Sequence, residues 1–208
     1  KFEDWFCAQA SPVTTASTSS SVPRNRMLCI LAGAGVGKTG ISCQLVERYP
    51  SVILAHFFCK HDHGEKKDPM VLLRTLAYEL STVPGMEAYR DKLECCKHTL
   101  SRTNDVTSLF ERLFENPLKD IPVPTCLPPP SSSSSFPFLR TVADFPRQQY
   151  VVLIDALDEC DHSDGKNSIL HLIRDHLHLL PDWLSFVVTS RPEMPVQRIL
   201  ARFNPLTV

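Results

Sequence analysis

Four short apolar runs, separated by longer mixed segments, predict buried β-strands along the chain. The runs are MLCILA (27–32), VILAHFF (52–58), YVVLID (150–155) and LSFVVTS (184–190). Each run is apolar almost throughout and contains β-branched or aromatic residues, whereas a half-buried strand would alternate polar and apolar positions. The pattern therefore predicts strands that are covered on both faces of a sheet.

Apolar residues at helical spacing lie between these runs. They follow Lys38, follow the pair Asp68–Pro69, and recur in 104–116 and 166–180. Asp68 is a typical N-cap residue, and a proline suits the first helical turn. The apolar positions are Ile41, Leu45 and Tyr49; Val71, Leu72, Leu76 and Leu80; and Ile169, Leu172, Ile173, Leu177 and Leu180. Buried strands that alternate with amphipathic helices predict a three-layer α/β fold, in which helices cover both faces of a parallel sheet.

Two low-complexity tracts divide the chain. The opening letters KFEDWF set three aromatic residues at helical spacing, so residues 1–23 are predicted to be an N-terminal helix followed by a Ser/Thr-rich linker. A second tract, between 122 and 138, is rich in proline and serine. It predicts an insertion with outer bounds 117–149 inside a core domain of residues 24–208.

Composition narrows the classes of partner. The 208 residues carry a formal net charge of −1 and the basic residues are scattered, so we expect no nucleic-acid partner and no membrane partner. No apolar run approaches the roughly 18 residues needed to span a bilayer. Eight cysteines in a chain of this size, without an N-x-[ST] sequon, favour reduced thiols. We expect a cytoplasmic location, and we expect the sequence to be a fragment of a longer chain.

The segment AGAGVGKT (32–39) matches the phosphate-loop pattern G-x-x-x-x-G-K-[ST] except at its first residue. That residue, an alanine, ends a predicted strand, where extended backbone tolerates a methyl group. Glycines let successive N–H groups curl around a phosphate, and the helix that follows adds its positive N-terminal end. Lys38 is predicted to reach the β- and γ-phosphates, and the Thr39 hydroxyl to ligate Mg²⁺. The residues predicted to surround the phosphates are Ala32, Gly33, Ala34, Gly35, Val36, Gly37, Lys38, Thr39 and Gly40.

A second motif, VVLIDALDEC (151–160), ends an apolar strand with a carboxylate. Asp155 is predicted to lie at the sheet edge beside the phosphate loop and to hold Mg²⁺ through water. Asp158 and Glu159 follow about one turn later, and either could orient or deprotonate a water that attacks the γ-phosphate. The alternative is a solvated acidic turn that only ends a strand.

The third motif, FVVTSRPE (186–193), ends another buried strand with Thr189 and Ser190, followed by Arg191. An arginine at this edge could reach the γ-phosphate. The alternative is an arginine in an ordinary surface salt bridge.

The stretch FFCKHDHGE (57–65) carries metal-ligand types at Cys59, His61, Asp62 and His63. A structural zinc site needs four ligands, and no second cluster is evident; Cys95 and Cys96 are adjacent on a predicted helix and poorly arranged as ligands. We therefore interpret His56 to His63 as a strand end and a loop near the nucleotide that the phosphate loop would bind. The histidines of 166–180 lie among leucines, without a serine or cysteine partner motif, and are interpreted as packing residues.

LAGAGVGKT, VVLIDALDECD and FVVTSRPE, in that order, resemble the NACHT-type branch of the STAND P-loop NTPases, and are most similar to nephrocystin-3-like N-terminal NTPase domains. AHFFCKHD, DPMVLLRTLAYEL and LPDWLSFVVTSRPE extend the resemblance over roughly residues 24–200. The resemblance implies an ASCE-type sheet of order 5-1-4-3-2, binding of ATP or dATP with Mg²⁺, slow hydrolysis, and a nucleotide-dependent switch that drives assembly. It also implies protein partners or self-association through repeats beyond residue 208. By motif, Lys38 and Thr39 correspond to Walker A, Asp155 to the Walker B magnesium residue, Asp158 and Glu159 to the distal acids, and Arg191 to the sensor arginine.

Three functions remain open on the sequence. The first is a signal-transduction ATPase that acts as a conformational switch. The second is a nucleotide-binding scaffold without significant hydrolysis. The third is a small-molecule or nucleoside kinase, which would need an acceptor pocket and an arginine-rich lid; the sequence lacks such a lid. The absence of an N/T-K-x-D motif favours adenine over guanine.

Overall fold

The strands form one sheet in the part of the chain that the computed structural model describes, residues 2–10, 26–124, 149–160, 168–203 and 206–207. Strand order is β2-β3-β4-β1-β5, and every described pair of neighbouring strands is parallel. The predicted α/β fold with a parallel sheet is therefore confirmed. The strands are β1 (Met27–Leu31), β2 (Ile53–Phe58), β3 (Tyr150–Asp155), β4 (Leu184–Ser190) and the two-residue β5 (Leu206–Thr207).

Helices connect the strands. A π-helical turn (Glu111–Glu115) joins α5 to α6, and 3₁₀ turns occupy Leu157–Glu159, Leu177–Leu179 and Ala201–Phe203. The helices are α1 (Phe2–Ala10), α2 (Lys38–Arg48), α3 (Pro69–Thr82), α4 (Glu87–Leu100), α5 (Val106–Phe110), α6 (Asn116–Leu118), α7 (Ser168–His176) and α8 (Met194–Leu200).

The two faces of the sheet are buried in separate cores. On β3, Tyr150, Val152 and Ile154 belong to a large core that includes residues of α3, α5 and α7. Val151 and Leu153 point the other way, into a smaller core shared with α1 and α2. Because side chains alternate along a strand, covering both faces requires apolar residues at every position. This requirement accounts for the continuous apolar runs in the sequence.

The predicted helix starts and faces agree with the structure at most positions. Asp68 caps α3, since its Oδ1 accepts a hydrogen bond from the Met70 N–H at 2.7 Å. All five apolar positions predicted in 166–180 are buried. Ile41 differs from the prediction and is 40% exposed. Neighbouring helical residues point about 100° apart, and in this turn it is Ser42 that points into the protein and is fully buried.

Two predicted segments lie mainly outside the described residues. They are the Ser/Thr-rich linker before residue 24 and the insertion at 117–149. At the start of the insertion range, Leu118 and Ile121 are described and lie in the large core, and Gln149 at its end is also buried.

Arg26 connects the start of β1 to the end of the α7 region. Its side chain is buried, and its Nη1 donates to the carbonyl oxygens of Leu180 at 3.0 Å and Pro181 at 2.6 Å. Its Nη2 donates to the Leu177 carbonyl. The Leu177 and Pro181 carbonyls also accept backbone N–H groups, from Leu180 at 3.3 Å and from Leu184 at 3.0 Å, so Arg26 is a second donor to each. Burial lowers the pKa of Arg26, and the hydrogen bonds offset part of the cost of burying its charge.

Replacing Arg26 should therefore destabilise the fold. Arg26→Met keeps an unbranched stem but removes every donor, so we expect the free energy of unfolding to fall by about 3 kcal/mol. Arg102→Met removes an exposed arginine after α4 and should change the free energy of unfolding by no more than about 0.5 kcal/mol. Urea denaturation followed by circular dichroism measures both; equal midpoints for the two variants would contradict the role given to Arg26.

Candidate functional site

Residues 32–37, between β1 and α2, form a loop that we call the glycine loop; Ala32 is buried and residues 33–37 are exposed. Gly35 and Gly37 have φ angles of 77° and 89°, a region in which a side chain is strained. Gly33 and Gly40 do not have positive φ. A Cβ built on either would meet no heavy atom within 4 Å from non-neighbouring residues of the described chain. Backbone conformation thus explains two of these glycines, whereas packing within the described residues does not explain the other two.

Lys38 folds back over the glycine loop. Its Nζ donates to the carbonyl oxygens of Ala32 at 2.8 Å and Gly33 at 2.7 Å. Gly37 is the N-cap of α2, and its carbonyl accepts the Ile41 N–H at 3.0 Å. The first-turn N–H groups of a helix lack intrahelical acceptors and carry its positive dipole end. The loop therefore brings an ammonium group and a helix N-terminus to the same edge of the sheet.

Asp155, the last residue of β3, accepts hydrogen bonds from three hydroxyl groups. Thr39 Oγ1 donates to its Oδ2 at 2.7 Å, while Ser42 Oγ and Thr189 Oγ1 donate to its Oδ1 at 2.6 and 2.7 Å. The carboxylate is only 1% exposed. Hydroxyl donors to a carboxylate are charge-assisted, and they stabilise its buried charge. Helix α2 and the ends of β3 and β4 meet at this one side chain.

The turn after β3 begins with an unusual backbone conformation. Ala156 has a φ of 53°, which costs a residue with a side chain about 1–2 kcal/mol. Its N–H donates to Thr189 Oγ1 at 2.9 Å, and its carbonyl accepts the Glu159 N–H at 2.8 Å. These two bonds hold the reversal of the chain. They direct the next turn, which carries Asp158, toward the end of β4.

Arg191, immediately after β4, contacts both acids of this turn. Its N–H donates to Asp158 Oδ1 at 2.9 Å, and its Nε lies 3.2 Å from Asp158 Oδ2. Its Nη2 lies 3.3 Å from Glu159 Oε1. The Asp158 side chain is 3% exposed, whereas that of Glu159 is 20% exposed. Both Asp158 oxygens are thus bound to Arg191, and Glu159 is the more accessible acid.

Glu159 has a second partner in the loop that follows β2. The His61 N–H donates to Glu159 Oε2 at 3.2 Å, and His61 Nδ1 lies 3.2 Å from the same oxygen. Burial alone would raise the pKa of Glu159. Hydrogen bonds from the side chain and backbone of His61, with the charges of His61 and Arg191, nevertheless hold the pKa below its usual value.

Two buried thiols join β2 to the turn Leu157–Glu159, which we call the acidic turn. Cys59 follows β2, and Cys160 follows Glu159; they are 6% and 1% exposed. A hydrogen bond to Cys160, together with burial, raises the pKa of the Cys59 thiol. The Cys59 N–H also donates to the backbone carbonyl of Asp155 at 3.0 Å. The start of the β2 loop is therefore fixed relative to Asp155 and Glu159.

The structure brings the predicted site residues to the carboxyl ends of the strands. Thr39 lies against Asp155, and the Ala32 N–H donates to the Ser190 carbonyl at 3.2 Å, which joins the glycine loop to the end of β4. Arg191 connects this strand end to the distal acids. The exposed residues Ala34, Val36 and Gly40 complete the loop and the first turn of α2.

Sequence reasoning missed three features of this edge. Ser42 was not predicted to bind Asp155, although it follows Thr39 by three residues and so shares its helix face. The left-handed backbone of Ala156 has no signal in the sequence, because alanine rarely adopts it. His61 was predicted to lie in a loop near the phosphate loop, but its contact with Glu159 was not predicted, because that contact depends on the pairing of β2 with β3.

Other regions show less potential chemistry. Among the described residues, no group of three or more His, Cys, Asp or Glu side chains could hold a metal ion. A cavity of about 490 Å³ between α5 and α7 contains none of the predicted site residues. Its lining residues are Thr107, Ser168, His171, Leu172, Asp175 and His176.

Helix length and apolarity provide one further observation. In the described ranges, no helix has both the length and the apolar character that crossing a bilayer requires.

Comparison with known proteins identifies the family. The chain matches the family described as Nephrocystin 3, N-terminal over residues 3–127 and 129–191, which cover nearly all of the described strands and helices. A search of curated proteins gives no match. Since the family match extends over far more than half of the sequence, the protein belongs to the Nephrocystin 3, N-terminal family.

Proposed function

We propose that the protein is an ATP-binding signal-transduction NTPase of the NACHT-type STAND class, in which slow Mg²⁺-dependent hydrolysis times a conformational switch that drives assembly. One observation carries the proposal, the 2.7 Å hydrogen bond between Thr39 and Asp155. It joins the hydroxyl that follows the phosphate-loop lysine to the carboxylate that ends a neighbouring buried strand. These two groups are the pair that a P-loop NTPase needs beside a magnesium-bound triphosphate.

The glycine loop fits a phosphate chain. Gly33 and Gly40 leave open space that a Cβ would begin to fill, and no packing within the described residues explains them. Lys38 would exchange its carbonyl partners for phosphate oxygens, and the first turn of α2 would add N–H donors. The residues that would bind ATP or dATP are Ala32, Gly33, Ala34, Gly35, Val36, Gly37, Lys38, Thr39 and Gly40.

Thr39 and Asp155 would hold Mg²⁺, which prefers oxygen ligands and usually keeps several waters. Bound there, Mg²⁺ would supply positive charge that offsets the negative charge of the phosphates. Ser42 and Thr189 fix the Asp155 carboxylate from the other side, so its orientation does not depend on the metal alone.

The distal acids have different roles in this proposal. Asp158, with both oxygens bound to Arg191, positions the arginine that follows β4. Glu159 is more exposed and is the candidate to orient the attacking water. A general base works best when its pKa lies near the operating pH, and the pKa of Glu159 is lowered instead. A weak base supports slow hydrolysis, which suits a timer.

Three further observations support the class. The described strands lie in the order β2-β3-β4-β1-β5, which supports the order 5-1-4-3-2 proposed for these NTPases. The family match supports the nephrocystin-3-like part of the assignment. Free thiols are typical of reducing compartments and support a cytoplasmic location; they are Cys29, Cys43, Cys59, Cys95, Cys96 and Cys160. Binding of protein partners, or self-association, would be the response to the switch.

A second candidate function is a nucleotide-binding scaffold without significant hydrolysis. The ion pairs of Arg191 favour it, because they involve both acids that would act on a water. ATP binding without phosphate release over hours would support the scaffold.

Binding of ATP should depend on Lys38. Loss of its charge-assisted hydrogen bonds to phosphate should weaken ATP binding by about 100-fold or more in Lys38→Ala. Thermal shift with Mg·ATP measures this, since ligand at 100 times its dissociation constant stabilises a fold by about 2.7 kcal/mol. Lys97→Ala, which removes an exposed lysine on α4, should retain the full shift. Equal shifts in both variants, or none in the wild type, would contradict nucleotide binding at the glycine loop.

Hydrolysis should depend on Glu159 and Asp158, with binding unchanged. Glu159→Gln removes a group that orients water and should slow phosphate release by about 100-fold or more. Asp158→Asn weakens the contact that positions Arg191 and should also slow release. Single-turnover assays with labelled ATP, alongside the thermal shift, separate the two effects. Unchanged release in both variants would exclude this assignment of roles.

A further inference from the structure

The loop after β2 reaches across to the acidic turn and contacts Glu159 twice. The backbone N–H and the imidazole of His61 both lie 3.2 Å from Oε2, while Arg191 lies on Oε1. One oxygen of the carboxylate therefore faces the β2 loop, and the other faces the end of β4. The direction of the Glu159 carboxylate is determined by two elements that are separate in the sequence.

The position of His61 is not a result of burial, because its side chain is 71% exposed. The loop is shaped by its own hydrogen bonds: the His63 N–H donates to the Lys60 carbonyl at 3.2 Å, and the Lys66 N–H donates to the His63 carbonyl at 2.9 Å. Cys59 anchors its start through the Cys160 thiol and the Asp155 carbonyl. Because the His61 imidazole is exposed and only the start of its loop is anchored, the interaction with the Glu159 carboxylate is what holds the imidazole in place.

We propose that His61 is a positioning residue for Glu159, because its backbone N–H and its imidazole orient the carboxylate through Oε2. The catalytic meaning of this inference rests on the proposed function, in which Glu159 orients the attacking water. The contact between His61 and Glu159 is independent of that function, because it can be measured without hydrolysis.

The charges around Glu159 determine the sign of the pH effect. His61 faces it from the β2 loop, Arg191 from the end of β4, and Asp158 from its own turn. Glu159 acts as a carboxylate, so activity is lost as pH falls through its pKa. His61 helps to hold that pKa low. Its removal should therefore shift the acid limb of the rate profile to higher pH.

The first test uses ¹³C-carboxyl NMR titration of Glu159, with Glu159→Gln to assign its resonance. In His61→Ala the Glu159 pKa should rise above that of the wild type, although the backbone N–H of residue 61 remains. His61→Asn puts an amide nitrogen near the position of Nδ1 and keeps a hydrogen bond without the charge. The Glu159 pKa in this variant should therefore lie between those of the wild type and His61→Ala. His63→Ala, an exposed neighbour in the same loop, should change nothing. An unshifted Glu159 pKa in His61→Ala would overturn the proposal, whatever the protein does to ATP.

The second test is kinetic. His61→Ala should lower kcat by about 10-fold, as expected for one hydrogen bond to a charged group, and leave KM for ATP unchanged. His61→Asn should recover kcat to within about threefold of the wild type. An equal kcat in wild type and His61→Ala would refute the positioning role. A wild type that binds ATP without hydrolysing it would refute the proposed hydrolysis, and the NMR titration would still decide whether His61 holds the carboxylate.

Discussion

The buried carboxylate of Asp155 is the group on which the whole functional edge depends. A carboxyl side chain that is only 1% exposed is costly to bury unless its oxygens receive hydrogen bonds, and here three hydroxyl groups provide them. Because Thr39 and Ser42 come from α2 and Thr189 from β4, the same bonds that stabilise the charge also fix α2 against two strand ends. Stability and site geometry therefore share one set of contacts.

The effect of these contacts extends from Asp155 to the distal acids. Thr189 donates to Asp155 and accepts the N–H of Ala156, which stabilises the left-handed residue that begins the acidic turn. The turn then directs Asp158 and Glu159 toward Arg191. A residue keeps a strained backbone conformation only when the contacts around it fix that conformation. The conformation of Ala156 is thus a cost that the hydroxyl of Thr189 offsets.

The sequence predicted the fold better than the site. β3 and β4 have their predicted bounds, because strands buried on both faces must be apolar throughout and this pattern is strong. Ile41 was assigned to a buried face, yet the buried position in its turn belongs to Ser42, whose hydroxyl donates to Asp155. The carbonyl contacts of Arg26 were not predictable, because they join residues about 150 positions apart and one arginine can bind many acceptors. The partner of His61 was hidden for a similar reason: strand pairing, which a single sequence does not encode locally, brings its loop to Glu159.

Arg191 is the point at which positioning and chemistry conflict. Its guanidinium orients both acids, but the same positive charge lowers the basicity of Glu159, so better positioning makes a weaker base. Under the proposed function, a triphosphate at the glycine loop would add negative charge near this edge and compete with the acids for the arginine. The side chain is 43% exposed and has room to change partners, whereas the Asp158 bond to its backbone N–H does not involve the guanidinium. Asp158 can therefore keep the loop after β4 in place while the guanidinium moves, and this division of contacts would let the presence of the γ-phosphate change the environment of Glu159 without disrupting the fold.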